Sequence, residues 1–411
     1  MAGFIFAIVL INLNPDRREL TSPVQHMYGV ADPQFIQTMN GLFGSNIVPG
    51  NQLRTLVNGD RIFPDMLAAI SAAETTITFE TFIYWRGEIA NRFAQALSAK
   101  ARSGVSVKVL LDWVGSIEMD TDLVRRMEEA GVEVFRFRPI RWYTLDRINN
   151  RTHRKILVVD GRVGFTGGVG IGDEWTGDAR TPEEWRETHY RVEGPVVASL
   201  QAAFAENWVE ATGELIRGEG YFPQLQEIGD KRAQVVMSSS GTRNSMQLML
   251  MTALASAEHR IRIGMAYFVP DDLSKAQLLE ARGRGVEIDV ILPGRHADHR
   301  IVRKASRHFW GELLAAGVRI HEFEPTMYHP KVVIVDETWT TVGSTNFDER
   351  SFRLNDEANL NVTDRAFALE QIAIFDADLA KSRQVTFEEW RNRPLLDKAR
   401  DRVWSWLRVQ L

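Results

Sequence analysis

The chain contains an internal repeat, and this repeat constrains its fold more than any other feature. The same order of predicted helices and strands runs once from Phe63 and again from Ser245. Matching positions stay between 176 and 186 residues apart. In each copy, helices end at a glycine followed by a valine, residues that suit a helix C-cap and the start of a strand. These breaks are Gly104-Val105, Gly131-Val132, Gly285-Val286 and Gly317-Val318. The repeat predicts two similar units.

The alternation of helices and strands predicts an α/β fold. Such alternation is typical of a mixed or mostly parallel sheet with helices on both faces. We therefore expect two α/β/α sandwich domains related by a pseudo-twofold axis, which would bring corresponding loops opposite one another. The predicted divisions are an N-terminal segment at 1–50, a first domain at 51–217, a linker at 218–230, a second domain at 231–390 and a C-terminal amphipathic helix at 391–411.

Composition restricts the class of protein. A chain of 411 residues with 44% hydrophobic and 25% charged residues is typical of a folded protein of two domains. Its formal net charge of -5 gives no overall attraction to nucleic acid, so we expect no nucleic-acid partner. The absence of cysteine excludes disulfides, thiolate catalysis and cysteine-ligated metals.

The first residues are apolar from Ala2 to Ile11, and polar residues follow at once. This stretch is too short to span a bilayer, which takes about 20 residues of helix. It has neither the basic start nor the small-residue cleavage site of a signal peptide. Three interpretations stay open for it: a segment that packs on the body of the protein, an anchor that dips into a membrane, and the remnant of a lost membrane segment.

One short motif occurs in both copies of the repeat. His153 and Lys155 are followed by four apolar residues and Asp160, and His329 and Lys331 are followed by four apolar residues and Asp336. On a strand, residues two apart share a face, so each imidazole would lie beside an ammonium group. A single His-x-Lys pair means little, but its recurrence at equivalent places predicts one active site with a contribution from each half.

Two imidazoles and two ammonium groups around one point suit a phosphodiester. One histidine would attack phosphorus to form a phosphohistidine, and the other would protonate the leaving alkoxide. Lys155 and Lys331 would neutralise the non-bridging oxygens in the transition state. We therefore expect no metal and no cofactor.

These motifs resemble the phospholipase D superfamily, whose signature is His-x-Lys-x4-Asp in duplicate, and more narrowly the bacterial cardiolipin synthases. The resemblance covers roughly residues 55 to 390 and implies two phospholipase D-like domains. The supporting stretches are Glu80 to Tyr84, Asn150 to Lys155, Gly167 to Ile171, Trp185 to His189, Tyr267 to Pro270 and Gly343 to Glu357.

The resemblance also implies roles for individual residues. His153 would be the nucleophile and His329 the general acid, although the near symmetry of the halves leaves that order open. Glu187 and Glu357 match the acidic residues that support the histidines. Asn346 would contact the phosphate; its counterpart in the first half is Gly170, where many relatives have asparagine. Ser344 would support the site from a small-residue turn. Asp160 and Asp336 would support the motifs structurally.

The implied activity is transfer of a phosphatidyl group, joining two phosphatidylglycerol molecules or close relatives into cardiolipin. A hydrolytic phospholipase D, a superfamily nuclease and a catalytically silent lipid-binding protein are the alternatives. The expected partners are a phospholipid substrate and a membrane surface, bound peripherally on the cytoplasmic face of a bacterial inner membrane. The oligomeric state stays open.

Two further segments favour a lipid substrate. The predicted C-terminal helix places Leu396, Ala399, Val403 and Leu407 on one face, with arginines and two tryptophans nearby. This helix could equally pack on the body of the protein. The loop from Arg138 to Arg151 is basic and aromatic, and it leads directly to His153. Such residues suit an anionic headgroup, but they could also stack on nucleotides.

Overall fold

A computed structural model describes residues 20–140, 149–239 and 244–405. Several sequence expectations fall outside the described residues. They concern the apolar stretch at 2–11, the loop residues Arg141, Trp142, Tyr143 and Arg147, and Leu407 of the C-terminal helix. Among the residues described, no helix has both the length and the apolar character needed to cross a membrane.

The first half follows helix α1 (Pro33–Phe43) and alternates strands and helices as predicted. Its elements are β1 (Val48–Val57), α2 (Gly59–Ala72), β2 (Thr76–Thr81), α3 (Glu88–Arg102), β3 (Ser106–Asp112), α4 (Thr121–Glu129), β4 (Glu133–Phe137), β5 (Ile156–Val159), β6 (Val163–Gly167), β7 (Thr188–Glu193) and α5 (Val197–Thr212). The strand predicted from Thr76 to Tyr84 stops at Thr81, because the chain leaves the sheet there to reach the cleft described below.

The second half repeats this order and adds short elements of its own. Its elements are β8 (Lys231–Ser238), α6 (Ser245–Ala255), β9 (Arg260–Met265), β10 (Phe268–Val269), α7 (Asp272–Gly283), β11 (Glu287–Pro293), α8 (Arg300–Ala315), β12 (Arg319–Phe323), β13 (Lys331–Val335), β14 (Trp339–Gly343), β15 (Phe347–Asp348), α9 (Glu349–Arg353), β16 (Glu357–Thr363), α10 (Arg365–Leu379), β17 (Ser382–Val385), α11 (Phe387–Arg391) and α12 (Leu395–Ser405).

The two halves share one continuous sheet. Within the described residues it has 15 strands in the order β17-β12-β11-β9-β13-β14-β16-β8-β1-β7-β6-β5-β2-β3-β4. Strands β1 and β8 pair antiparallel at its centre, and matching strands then follow in the same order on either side. The strand order therefore shows the pseudo-twofold relation, and the predicted α/β class is confirmed. The domain boundaries that we propose stay a prediction.

Helices cover both faces of this sheet. Alternate residues of β5 point to opposite sides: Leu157 and Val159 pack with the helices of the first half, while Ile156 and Val158 face the other layer. That second layer contains α5 of the first half and α10 of the second, around residues such as Leu200. Since one hydrophobic layer takes side chains from both halves, the halves are packed together as well as paired through the sheet.

Asp160 and Asp336 anchor the strands that carry the motifs. Both have a left-handed backbone, with φ 53° in each case. The carboxylate of Asp160 accepts hydrogen bonds from the backbone N–H groups of Glu74, Thr75 and Thr76 at the start of β2. Asp336 accepts from three backbone N–H groups at the start of β9 in the same way. Each aspartate thus ties its motif strand to a neighbour, at the end remote from the histidine.

The C-terminal helix α12 packs against α8 through its polar side. Asp401 is buried there in an ion pair with Arg393. Its predicted apolar face points outward, since Leu396 is 61% and Val403 53% exposed, and Leu395 at the start of the helix is 82% exposed. The helix therefore packs on the body of the protein and still presents apolar side chains to solvent, and its role at a membrane stays a prediction.

Candidate active site

A cleft of about 390 Å³ opens between the two halves and is lined by residues from both. His153, Lys155 and His329 line it, and Lys331 is buried beside His329. The structure thus brings the two motifs together, as the repeat predicted. Lys331 begins β13, whereas His153 and Lys155 lie just before β5 and not on a strand as predicted.

Short backbone pairings between the halves hold both histidines in place. The N–H of His153 donates to the carbonyl of Asp356 at 2.8 Å, and the N–H of Asp356 donates to the carbonyl of Arg151 at 2.9 Å. The matching pairing joins His329 to the carbonyl of Arg186 at 2.8 Å. In both pairings, the residues just before the histidine of one half lie beside the residue just before the glutamate of the other half.

The supporting carboxylates are therefore exchanged between the halves. His153 Nδ1 lies 3.0 Å from both carboxylate oxygens of Glu357, and His329 Nδ1 lies 2.5 Å from Glu187 Oε2. Each glutamate is fully buried. A carboxylate at Nδ1 fixes the tautomer of the imidazole and leaves Nε2 with the free electron pair.

The two lysines sit in matching positions beside the histidines. Lys155 Nζ donates to the backbone carbonyl of His153 at 2.7 Å, and Lys331 Nζ donates to that of His329 at 2.6 Å. Lys331 Nζ also lies 3.0 Å from both ring nitrogens of His329. The two ammonium groups therefore flank the space where a phosphate would lie between the imidazoles.

Burial sets the protonation states of this site. It lowers the pKa of His153 to about 4, against the opposing effect of the Glu357 carboxylate. Burial and the Lys331 ammonium hold the pKa of His329 well below its usual range. Burial also lowers the pKa of Lys155 to about 7 and that of Lys331 to about 8. Both imidazoles are thus neutral in the empty site, and an anion would strengthen the charge on the lysines.

The two carboxylates have different environments. Although burial opposes its ionisation, His153 and the Ser344 hydroxyl bring the pKa of Glu357 to about 2, with Ser344 Oγ donating to it at 2.5 Å. Burial raises the pKa of Glu187. The position that matches Ser344 is Gly168, which has no hydroxyl to offer. Glu357 is therefore the more firmly ionised of the two.

Asn346 lines the cleft, and the matching Gly170 makes room for an aromatic ring. Asn346 is 4% exposed, and its side-chain oxygen has no hydrogen-bond partner among the described residues. A Cβ atom at Gly170 would lie 2.8 Å from Ile83 Cβ and 3.1 Å from the Trp175 ring. A side chain does not fit at Gly170, so of these two matching positions only Asn346 offers a polar side chain to the cleft.

Aromatic rings from the first half contact both histidines. The ring centroids of Trp175 and Trp185 lie 5.3 and 5.5 Å from that of His329, and Phe82 lies 5.3 Å from His153. Phe82 and Trp185 lie in stretches that carry the family resemblance, but the sequence predicted no role for either residue. Trp175 lies outside those stretches. The one feature of the sequence that relates to it is the glycine at position 170, where the absence of a side chain leaves room for the Trp175 ring.

The family described as cardiolipin synthase, PLD-like domain, matches residues 66–208 and 250–379, one match in each half. The chain belongs to this family. The predicted phospholipase D superfamily membership is thereby confirmed. Within the described residues, no group of three or more histidine and carboxylate side chains is arranged to hold a metal ion.

Curated members of the cardiolipin synthase family align with most of the chain. The cardiolipin synthase A of Pseudomonas fluorescens is 38% identical over 362 residues, which cover 86% of this chain and 74% of that protein. The cardiolipin synthase of Alkalihalophilus pseudofirmus is 35% identical over 352 residues, covering 85% and 70%.

Solved structures share the fold at low sequence identity. The phosphatidylserine synthase of Haemophilus influenzae superposes with a TM-score of 0.67 at 13% identity, covering 92% of this chain and 99% of that one. The polyphosphate kinase of Porphyromonas gingivalis gives a TM-score of 0.55 at 14% identity, covering 96% and 57%. At these identities the likeness concerns the fold alone.

Proposed function

We propose that the protein is a phosphatidyltransferase of the cardiolipin synthase type, joining two phosphatidylglycerol molecules into cardiolipin and glycerol. The observation that carries this proposal is the pair of imidazole–carboxylate contacts at a cleft that Lys155 lines and that has Lys331 buried beside His329. The names of the curated relatives supply the product, cardiolipin. A nucleophile, a general acid and base, and charge stabilisers, which phosphoryl transfer needs, can all be assigned to these residues.

In the first half-reaction, Nε2 of His153 attacks the phosphorus of one phosphatidylglycerol. A P–N bond forms as the P–O bond to the leaving glycerol breaks, and His329 donates a proton to that oxygen. His329 is neutral before the substrate binds, so its pKa must rise before it can donate this proton. Binding of the negative phosphodiester raises the pKa of His329, because an anion close to an imidazole favours its charged form.

In the second half-reaction, the primary hydroxyl of another phosphatidylglycerol attacks the phosphohistidine. His329, now neutral, removes the hydroxyl proton while the new P–O bond forms. The P–N bond breaks and its electron pair returns to His153. Lys155 and Lys331 balance the charge on the non-bridging oxygens in both steps.

The unequal carboxylates support His153 as the nucleophile. A phosphorylated imidazole carries positive charge while it forms and decays, and an ionised carboxylate at Nδ1 stabilises that charge. Glu357 is the carboxylate held ionised by Ser344 and His153. Glu187 has its pKa raised by burial, which suits a partner of the histidine that gains and loses protons.

Incubation with phosphatidylglycerol vesicles, followed by mass analysis of the lipids, tests this proposal. Cardiolipin and glycerol in equal amounts would support the transferase. Phosphatidic acid as the main product would replace it with a hydrolase, since water would then be the acceptor. A protein that leaves the lipid unchanged but cleaves nucleic acid would contradict both lipid activities.

The rate should depend on pH through the ionisation of His153, Lys155 and Lys331 in the enzyme without substrate. We expect kcat/KM to fall as the pH drops through about 4, because His153 then binds a proton and loses its nucleophilic electron pair. It should also fall as the pH rises through about 7 to 8, where Lys155 and Lys331 lose their charge. A pH series of kcat/KM with short-chain phosphatidylglycerol measures both limbs.

Arginine substitutions provide the control for the alkaline limb. Arginine keeps its charge throughout this pH range, so Lys155→Arg should shift or remove that limb even if it lowers the rate. An alkaline limb that stays in place in both Lys155→Arg and Lys331→Arg would contradict the assignment.

We also propose that α12 helps the enzyme bind the anionic cytoplasmic face of a bacterial inner membrane. Leu395, Leu396 and Val403 are exposed on this helix, next to the exposed Arg400 and Arg402. Apolar side chains flanked by arginines suit the interface of an anionic bilayer. Helix α12 packs against α8, and Ile301 and Val302 of α8 line the cleft, which would keep the active site close to that surface.

Replacing both Leu396 and Val403 with serine should weaken binding to phosphatidylglycerol vesicles about tenfold, since two apolar contacts with the bilayer are lost. Vesicle co-sedimentation measures the change. Leu215→Ser removes a leucine that is 68% exposed elsewhere and serves as the matched control. Equal binding by the double variant and this control would make α12 purely structural.

A further inference from the structure

The two walls of the cleft differ in chemistry although they come from matching halves. The first-half wall is aromatic, with Phe82, Trp85, Trp175 and Trp185. The second-half wall is polar and includes Tyr267, Asp298 and His299. Tyr267 occupies the position that matches Ile83 of the first half. The N–H of Ile171 donates to the carbonyl of Ile83, and the N–H of Phe347, which matches Ile171, donates to the carbonyl of Tyr267. A substrate that contacted both halves in the same way would not require two walls of different chemistry.

Tyr267 and Asp298 form a hydrogen-bonded pair on the polar wall. The Tyr267 hydroxyl donates to Asp298 Oδ2 at 2.5 Å. Burial and the nearby Asp298 carboxylate hold the pKa of Tyr267 well above its usual range, so it stays a donor. The backbone N–H of His299 donates to Asp298 Oδ1 at 2.7 Å, and the His299 ring lies 3.8 Å from the carboxylate. The Asp298 side chain is thus fixed in direction while it stays 15% exposed.

The charge of Asp298 determines what can bind beside it. It lies close enough to His329 and Lys331 to favour their charged forms. A carboxylate repels a phosphate, so this position is not a second phosphate site. Each carboxylate oxygen can accept more than one hydrogen bond, and alcohol hydroxyls are neutral donors that suit it.

We propose that Tyr267 and Asp298 form a polyol subsite for the acceptor. This inference rests on the proposed transferase function and deepens it. Asp298 accepts a hydrogen bond from the secondary hydroxyl of the acceptor glycerol headgroup, which brings the neighbouring primary hydroxyl to His329. That hydroxyl gives its proton to His329 as its oxygen bonds to phosphorus and the P–N bond to His153 breaks. Asp298 and Tyr267 are positioning residues and take no proton.

The test is a competition between alcohols. Vesicles of phosphatidylglycerol receive equal concentrations of isotope-labelled glycerol and 1-propanol, and labelled phosphatidylglycerol, phosphatidylpropanol and phosphatidic acid are measured. Asp298→Asn should lower the yield from glycerol about tenfold, because a hydrogen bond to a charged acceptor becomes one to a neutral amide. The yields from propanol and water should fall much less than that from glycerol, because Asp298 affects them only through the charge on His329 and Lys331. Tyr267→Phe should act in the same direction with a smaller effect.

Asp122→Asn, which neutralises an exposed carboxylate on α4, is the control for charge alone. An unchanged glycerol-to-propanol ratio in Asp298→Asn would overturn the subsite. An equal fall of all three products would also overturn it, since Asp298 would then act through His329 or Lys331. If the unsubstituted protein transfers no phosphatidyl group to any acceptor, the proposed function fails, and the subsite fails with it. Normal transfer with unchanged selectivity refutes the subsite alone.

Discussion

His153→Ala should eliminate the burst of leaving group from a phosphatidyl ester of p-nitrophenol, whereas His329→Ala should retain it. With natural phosphatidylglycerol both variants should lose at least about 10⁴-fold in kcat, since each removes a group used in both half-reactions. Nitrophenolate leaves without a proton, so the first half-reaction with this ester needs the nucleophile but no acid. His329→Ala should therefore release about one equivalent of nitrophenol and accumulate the phosphohistidine.

Rapid-mixing absorbance measures that burst, and mass spectrometry of the quenched protein locates the phosphoryl group. His259→Ala serves as the control, because His259 is exposed near the far end of the motif strand and its side chain does not line the cleft. A burst in His153→Ala that is lost in His329→Ala would reverse the two roles. Near-normal turnover with phosphatidylglycerol in either variant would refute a single site shared by both halves.

Exchanging the carboxylates for amides should affect the histidine of the opposite half. Glu357→Gln should slow formation of the phosphohistidine about 10³-fold, because His153 loses the charge at Nδ1 that fixes its tautomer and stabilises its cation. Glu187→Gln should slow turnover of phosphatidylglycerol to a similar extent while it leaves the nitrophenol burst nearly intact, since it weakens only the acid–base function of His329. The same burst assay separates the two variants.

Glu324→Gln, at a half-exposed glutamate away from the cleft, is the matched control. Nitrogen NMR of labelled histidine gives an independent measurement, since the ring signals of His153 should change in Glu357→Gln and those of His329 in Glu187→Gln. If each substitution instead altered the histidine of its own half, the exchange of carboxylates between halves would be wrong.

The sequence predicted that two histidines, two lysines and two glutamates lie together, but it did not show which glutamate contacts which histidine. Glu187 follows His153 along the chain and Glu357 follows His329, so sequence order suggests pairing within each half. The actual pairing depends on backbone bridges between the halves, such as that of His153 with Asp356. Contacts of this kind between distant segments leave no periodic signal in a single sequence.

The succession of helices and strands along each half was predictable in outline, because helices, strands and glycine breaks alternate in a regular pattern. The fusion of both halves into one sheet was not, since it depends on how the edges of β1 and β8 meet in space. The aromatic wall was also missed. Trp175 reaches the cleft from a single helical turn at Asp173–Trp175, and the sequence of so short a turn does not show where its ring points.

The β1–β8 pairing has a consequence for how large lipids enter the enzyme. Many two-lobed enzymes close by rocking one lobe against the other about a flexible hinge. Here the connection is a pair of hydrogen-bonded strands within a sheet that runs through both lobes, and a shared hydrophobic layer covers it. Rocking would break that ladder and open a densely packed interior. The two halves are therefore held in one relative position, and we expect substrate to enter and product to leave without a rocking motion of one lobe against the other.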